Sequence, residues 1–255
     1  MPRTPIVAGN WKMNTLRDEA LTLVRALGGR VDGIAGVEKI VCPPFVFLHD
    51  VCQALAGSTI AVGAQNAYWE EKGAFTGEVS ITQVAEAATH VIIGHSERRQ
   101  YFAETDETVN RRVKSALAHG VIPIVCVGET LEQRRAEQTA EVLVRQTRGG
   151  LDGVTVGPEL IIAYEPVWAI GTGLAADGAT AEQAIALIRK TVREIAGDVA
   201  GDVRILYGGS VTPDNIAEYM AEPDIDGGLA GGASLKADAF AGLIEGAATA
   251  AAGRA

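Results

Sequence analysis

Cysteine, histidine, aromatic residues and positive charge are all scarce in this chain. Three cysteines, Cys42, Cys52 and Cys126, lie along 255 residues without a CxxC pair. None has a histidine nearby at zinc-ligand spacing, so neither a disulfide framework nor a metal site is expected, and a reducing, cytoplasmic setting fits best. Lysine plus arginine number 22 against 32 aspartate plus glutamate, a formal charge of -10. No broad basic face is then available for a nucleic-acid backbone or an anionic membrane. No apolar run approaches the ~20 residues that span a bilayer. The opening Met1-Pro2-Arg3-Thr4-Pro5 runs straight into a short strand-like segment and lacks the apolar core of a signal peptide. An acidic protein can still hold an anionic metabolite, but only through local groups such as one lysine and clustered backbone N–H donors.

What the chain does have is rhythm. Short runs rich in Val and Ile, at 6–9, 39–42, 60–64, 91–94, 122–127, 160–164, 204–207 and 225–230, recur with helix-period segments between them. Helices are expected over 17–27, 107–118, 181–195 and 213–220, the last with Thr212 as N-cap and Pro213 in its first turn. Unbroken strand–helix alternation implies a parallel sheet. An open doubly wound sheet shares that alternation, but no GxGxxG follows the first strand and no P-loop occurs. Eight even units in a chain of this length suit closure into a single (β/α)8 barrel domain.

In such barrels the reactive groups gather where strands end. Here those ends carry Asn10-Trp11-Lys12, Gly94-His95-Ser96-Glu97, Tyr164-Glu165-Pro166, Tyr207-Gly208-Gly209-Ser210 and Gly231-Gly232. Each has an ordinary alternative: an exposed lysine, a structural histidine such as His49, His90 and His119, a capping glutamate, tight glycine turns. Their coincidence at strand ends favours chemistry. A cation, an imidazole, a carboxylate and glycine-rich backbone, with no nucleophile–base pair, suit proton transfer beside a carbonyl on a small phosphorylated compound.

The segments Ala8-Gly9-Asn10-Trp11-Lys12-Met13-Asn14, Gly94-His95-Ser96-Glu97-Arg98-Arg99, Ala163-Tyr164-Glu165-Pro166-Val167-Trp168, and the two late glycine loops resemble the triosephosphate isomerase family, in the family's order. The resemblance implies a cofactor-free enzyme that interconverts dihydroxyacetone phosphate and glyceraldehyde 3-phosphate. It implies Glu165 as the base, His95 as a neutral electrophile with its pKa lowered by a helix N-terminus, and Lys12 as the cation. Asn10 would bond substrate, Glu97 would orient Lys12, and Gly171, Ser210, Gly231 and Gly232 would hold the phosphate. Residues 166–173 would form a mobile lid. The loop 65–78, with Tyr68, Trp69, Phe75 and Thr76, resembles the loop through which family members form homodimers, and its aromatics point to a partner surface. Two readings compete: another sugar-phosphate barrel enzyme, which would not be expected to carry both the histidine and glutamate segments, and a non-catalytic binding protein on the same fold. One departure stands out in strand eight, where Gly228 and Ala230 replace larger residues. Underpacking is expected there, and with it a gain of roughly 0.5 to 1 kcal/mol for Gly228→Ala.

Overall fold

Alternate residues of each strand point to opposite faces, and here both faces are apolar, which is why the strands read as continuous hydrophobic runs rather than alternating ones. Ile6, Ala8, Ile40, Cys42, Ile92, Ile124, Cys126, Ile161, Ala163, Leu206 and Leu229 form one buried cluster. Their neighbours in sequence, such as Val7, Val41, Val91, Val125, Ile162 and Ile205, join a second and larger one with the helices. The first set fills the inside of a barrel; the second is the interface between barrel and helical coat.

The structure, a computed structural model, describes residues 3–170 and 176–253. Eight parallel strands close in sequence order: β1 (Ile6–Asn10), β2 (Glu38–Cys42), β3 (Ile60–Ala64), β4 (His90–Ile93), β5 (Ile122–Val127), β6 (Ile161–Tyr164), β7 (Arg204–Tyr207) and β8 (Gly227–Ala230). Closure comes from β1, which pairs with β2 on one side and with β8 on the other, Ile6 facing Gly227 and Gly9 facing Ala230. The helices are α1 (Arg17–Val31), α2 (Leu48–Ala54), α3 (Ile81–Ala85), α4 (Ser96–Tyr101), α5 (Asp106–Ala118), α6 (Leu131–Arg135), α7 (Thr139–Leu151), α8 (Gly178–Ala196), α9 (Ile216–Ala221) and α10 (Ala237–Ala252). The expected (β/α)8 TIM barrel is thus present.

One helix start differs from expectation. Residues 213–215 form turns, and α9 begins at Ile216 with Asn215 at its N-cap position. The Asn215 side chain accepts the Thr212 N–H at 2.7 Å and donates to the Ser210 carbonyl at 3.0 Å. A turn closed by asparagine therefore takes up the backbone that a Thr-Pro helix start would have used.

Strand eight also corrects the sequence expectation. Gly228 lies outside the left-handed region, but a Cβ built on it would sit 3.3 and 3.4 Å from the two methyls of Val211. The missing volume is already filled from the next loop. Gly227, immediately before it, has φ of 132°, and a Cβ there would fall on the Ile6 carbonyl oxygen. The glycine that the barrel requires is Gly227, at the seam where β8 meets β1.

At the N-terminal end of the barrel, buried charged and polar groups pair with one another. Asp226 accepts from Arg3 Nε at 2.6 Å, Arg189 Nη2 at 2.7 Å and the Ile205 N–H at 2.9 Å. His90 lies between Thr89 Oγ1 and Glu38, at 2.8 and 3.1 Å, and the nearby guanidinium of Arg204 donates to the same Glu38 carboxylate. His49 sits beside Gln53 and His119 beside the Ser115 carbonyl. All three histidines thus have local partners away from the site described next.

Candidate active site

The barrel's other end gathers Asn10, Lys12, His95, Glu165, Ser210, Gly231 and Gly232 around one cavity of about 320 Å3. They come from the ends of β1, β4, β6, β7 and β8, which are far apart in sequence and adjacent only because the barrel closes. Gly171 lies outside the described residues, as do the last three positions of the expected lid.

Lys12 sits just past β1 with φ of 54°, an unusual conformation for a residue with a side chain. Three contacts hold it there. Its N–H donates to Asn10 Oδ1 at 3.0 Å, its carbonyl accepts from Gln65 Nε2 at 2.8 Å, and its Nζ donates to Glu97 Oε1 at 2.6 Å. Glu97 thus contacts Lys12 and lies outside the cavity lining. Gln65, seen in the sequence only as the start of a loop, also donates to the Cys42 carbonyl at 2.9 Å and so ties the β1, β2 and β3 ends together.

His95 is the N-cap of α4, and its Nδ1 accepts the Glu97 N–H at 3.2 Å. Its Nε2 faces Glu165 Oε1 at 2.8 Å, while Glu165 Oε2 accepts the Ser96 N–H, also at 2.8 Å. Both side chains are almost wholly buried, at 7% and 2% exposure, so their electrostatics are mutual rather than set by water. Burial alone would push the Glu165 carboxyl up, but His95 beside it, the Ser96 N–H and Lys12 outweigh burial and hold it below the usual carboxylate range. For His95, burial favours the neutral ring, but Glu165 and, more weakly, Glu97 outweigh burial and Lys12 and draw its pKa above the usual histidine value, contrary to the lowering that the family resemblance implies; only local geometry opposes that shift. A second ring proton would turn Nδ1 into a donor facing the Glu97 N–H. That conflict favours the neutral ring with its proton on Nε2.

The rim opposite is built for close approach. A Cβ on Gly231 would lie 3.6 Å from Lys12 Cε, and one on Gly232 would meet nothing within 4 Å. Ser210 Oγ donates to the Ala169 carbonyl at 3.1 Å, linking this rim to the segment after Glu165. Among the described residues no group of three or more His, Cys, Asp or Glu could hold a metal ion. The three cysteines are free, and Cys42 and Cys126 are buried; desolvation raises the Cys42 thiol to about 12, far from the thiolate form.

A parallel barrel with a carboxylate, an imidazole and an ammonium around a glycine-rimmed cavity defines a barrel enzyme of the proton-transferring, phosphate-binding kind. Residues 5–247 match the family model described as Triosephosphate isomerase. The chain is 54% identical over 245 residues to the triosephosphate isomerase of Moorella thermoacetica, covering 95% of this chain and 98% of that one. It is also 54% identical over 247 residues to that of Citrifermentans bemidjiense, with the same coverage. The crystal structure of triosephosphate isomerase from Bartonella henselae superposes with a TM-score of 0.88 at 38% identity, covering 95% of this chain and 98% of that one. The chain belongs to the triosephosphate isomerase family.

Proposed function

We propose that this chain interconverts dihydroxyacetone phosphate and D-glyceraldehyde 3-phosphate by proton transfer through an enediolate, without a cofactor, as a single-domain enzyme of glycolysis and gluconeogenesis in the cytoplasm. The observation that carries this is the 2.8 Å contact between His95 Nε2 and Glu165 Oε1 on a cavity that also holds Lys12. These two groups contact each other directly. Substrate must part them, and the part each then plays follows from its chemistry. Glu165 takes the proton from the carbon beside the carbonyl and returns it to the neighbouring carbon. His95 Nε2–H and the Lys12 ammonium stabilise the oxygen that becomes negative, and His95 gives that oxygen its Nε2 proton and takes one back from the neighbouring hydroxyl, which becomes the new carbonyl. Asn10 orients the substrate oxygens, and the N–H groups of Gly171, Ser210, Gly231 and Gly232 take the phosphate. A coupled assay with each triose phosphate in turn tests the reading: turnover in both directions supports it, and bound but unchanged substrate would favour a non-catalytic binding protein.

The depressed carboxyl of Glu165 fixes the pH dependence of kcat/KM. The base must be ionised, and a lowered pKa keeps it ionised to lower pH, so the first proton to interfere on acidification is that of the substrate phosphate, near pKa ~6. The expected log kcat/KM profile falls with a slope of one between about pH 6 and 5; a slope of two over that interval would place the Glu165 pKa where the structure does not.

For self-association, the loop 65–78, exposed over 71–78, shares its flank with further exposed apolar side chains. Tyr68 stacks on Trp69 with ring centroids 4.1 Å apart and meets Phe75 at 4.7 Å, while Arg111 and Arg112 of α5 lie over the Trp69 ring. The loop's aromatics are largely covered within the subunit, with Phe75 left 41% exposed. Besides Phe75, large apolar side chains are exposed on neighbouring loops: Met13 at 97%, Val46 at 78%, and Leu16, Tyr101 and Phe102. They follow β1, β2 and β4, next to the loop 65–78 after β3, so four consecutive loops share one flank of the barrel. We propose that this flank is the homodimer surface. Val46→Asp, or Thr76→Arg at the loop, should shift sedimentation from dimer toward monomer and lower activity with it; a monomeric parent, or variants that remain dimers, would contradict this.

No helix among the described residues is long and apolar enough to cross a membrane.

A further inference from the structure

Where β4 and β5 part, their ladder ends with Ile93 facing Val125. Beyond it Gly94, with φ of 72°, turns the chain away into His95 and α4. The end of β4, which carries His95, and the end of β5, on which the Glu165 backbone rests, would thus be left without mutual contacts at the point where accuracy matters most. A side chain from α4 fills that place. Arg99 Nε donates to the Gly94 carbonyl at 2.9 Å, Nη2 donates to the Cys126 carbonyl at 3.3 Å, and Nη1 pairs with Asp106 Oδ1 at 2.6 Å.

We propose that Arg99 is a positioning residue for the proton-transfer pair, holding the diverging ends of β4 and β5 so that His95 and Glu165 keep their separation. Gly94 is the residue directly before His95. Cys126 is followed by Val127, whose carbonyl accepts the Glu165 N–H at 2.8 Å. One planar guanidinium therefore spans the backbone that carries the imidazole and the backbone on which the carboxylate rests. Asp106, at the first residue of α5, fixes the plane of that fork. A lysine at this position keeps the charge but cannot reach two carbonyls and a carboxylate in one fixed plane.

Arg99 also lines a cavity of about 420 Å3 that shares Glu165 with the substrate cavity as a wall. Arg145, whose side chain is more than half exposed, lines the same cavity, so it reaches solvent. Truncating Arg99 would enlarge a space that a small cation can enter.

This inference rests on the isomerase reading, and its test separates the two. The parent chain, Arg99→Ala and Arg99→Lys are assayed for kcat and KM with glyceraldehyde 3-phosphate, with and without millimolar guanidinium chloride. Turnover by the parent addresses the reaction; the ratios address Arg99. Misplacement of a reacting group by about 1 Å costs up to about 100-fold, so Arg99→Ala should lose roughly 10- to 100-fold in kcat with KM little changed. Arg99→Lys should fall between Ala and the parent, and guanidinium should restore part of kcat in Arg99→Ala alone. Should Arg99→Ala fail to fold, the Lys variant decides by the same split between kcat and KM. A kcat equal to the parent's in Arg99→Lys, with only thermal stability lowered, would overturn the proposal and leave Arg99 a purely structural tie. So would a loss in Arg99→Ala that guanidinium does not relieve.

Discussion

Glu165→Gln is expected to lower kcat by about 10²- to 10⁴-fold, the range that loss of a general base produces, while a non-reacting phosphate ligand binds with little change. The amide has the shape of the carboxyl. Its oxygen can still accept the Ser96 N–H that Glu165 Oε2 accepts at 2.8 Å, and it still fills the buried end of β6. What it loses is the capacity to take a proton, together with the negative charge that the buried His95 and Lys12 surround. The phosphate end of the cavity, at Ser210, Gly231 and Gly232, is untouched by the change. Measured kcat near the parent's would remove Glu165 from the proton-transfer step; binding and turnover lost together would point to a collapsed site instead.

The largest expected effect on stability comes from Gly227→Ala. The methyl would have to occupy the position of the Ile6 carbonyl oxygen, at a φ of 132° that side-chain-bearing residues avoid. Relief requires β8 to move away from β1, which opens the barrel along its closing seam. Such a substitution belongs with the small class that costs roughly 4 kcal/mol or more. For a chain of this size each kcal/mol moves Tm by about 2–4 °C, so a fall on the order of 10 °C is expected. Gly228→Ala, one residue on, is the matched control. Its backbone entropy gain of roughly 0.5 to 1 kcal/mol is opposed by contact with the stiff Val211 side chain at 3.3 and 3.4 Å, leaving a net change near zero. Urea unfolding of both variants distinguishes them. Equal midpoints for the two would mean that the seam is not where the barrel is intolerant.

The contrast between those glycines shows where a sequence is legible and where it is not. The strands at 60–64, 122–127 and 204–207 can be read to the residue, because each is a β-branched, two-sided apolar run with polar or glycine punctuation. Strand eight is legible as an element, but its weak point is not. Whether a missing side chain is a void depends on Val211, which arrives from another loop, and no local pattern reports that. The same holds for α9, where the Thr-Pro start signal is real but Asn215 offers the backbone a competing turn.

The site follows this division too. His95, Glu165 and Lys12 stand out because polar residues at the ends of buried strands need a reason to be there. The structure brings all three to one cavity, with Asn10, Ser210, Gly231 and Gly232. Gln65 and Arg99 do not stand out. Both act by donating to backbone carbonyls, and a carbonyl has no identity in a sequence. Gln65 looks like the first residue of a loop, and Arg99 like one of two arginines on a short helix. The apolar surface beside the loop 65–78 is only partly legible: the loop's aromatics are conspicuous by type, while Met13 and Val46 are inconspicuous by type and exposed by geometry.

The central claim, that this barrel end moves a proton between adjacent carbons of a triose phosphate, is tested most directly by turning over glyceraldehyde 3-phosphate in deuterium oxide and following the products by proton NMR. The account predicts dihydroxyacetone phosphate in which part of the product carries solvent deuterium at the carbon that received the proton, since a carboxylic acid formed on Glu165 can exchange before it gives its proton back. It predicts the loss of that signal in Glu165→Gln. Absence of turnover by the parent chain, or product formed entirely without solvent deuterium as a direct hydride shift would give, would contradict it.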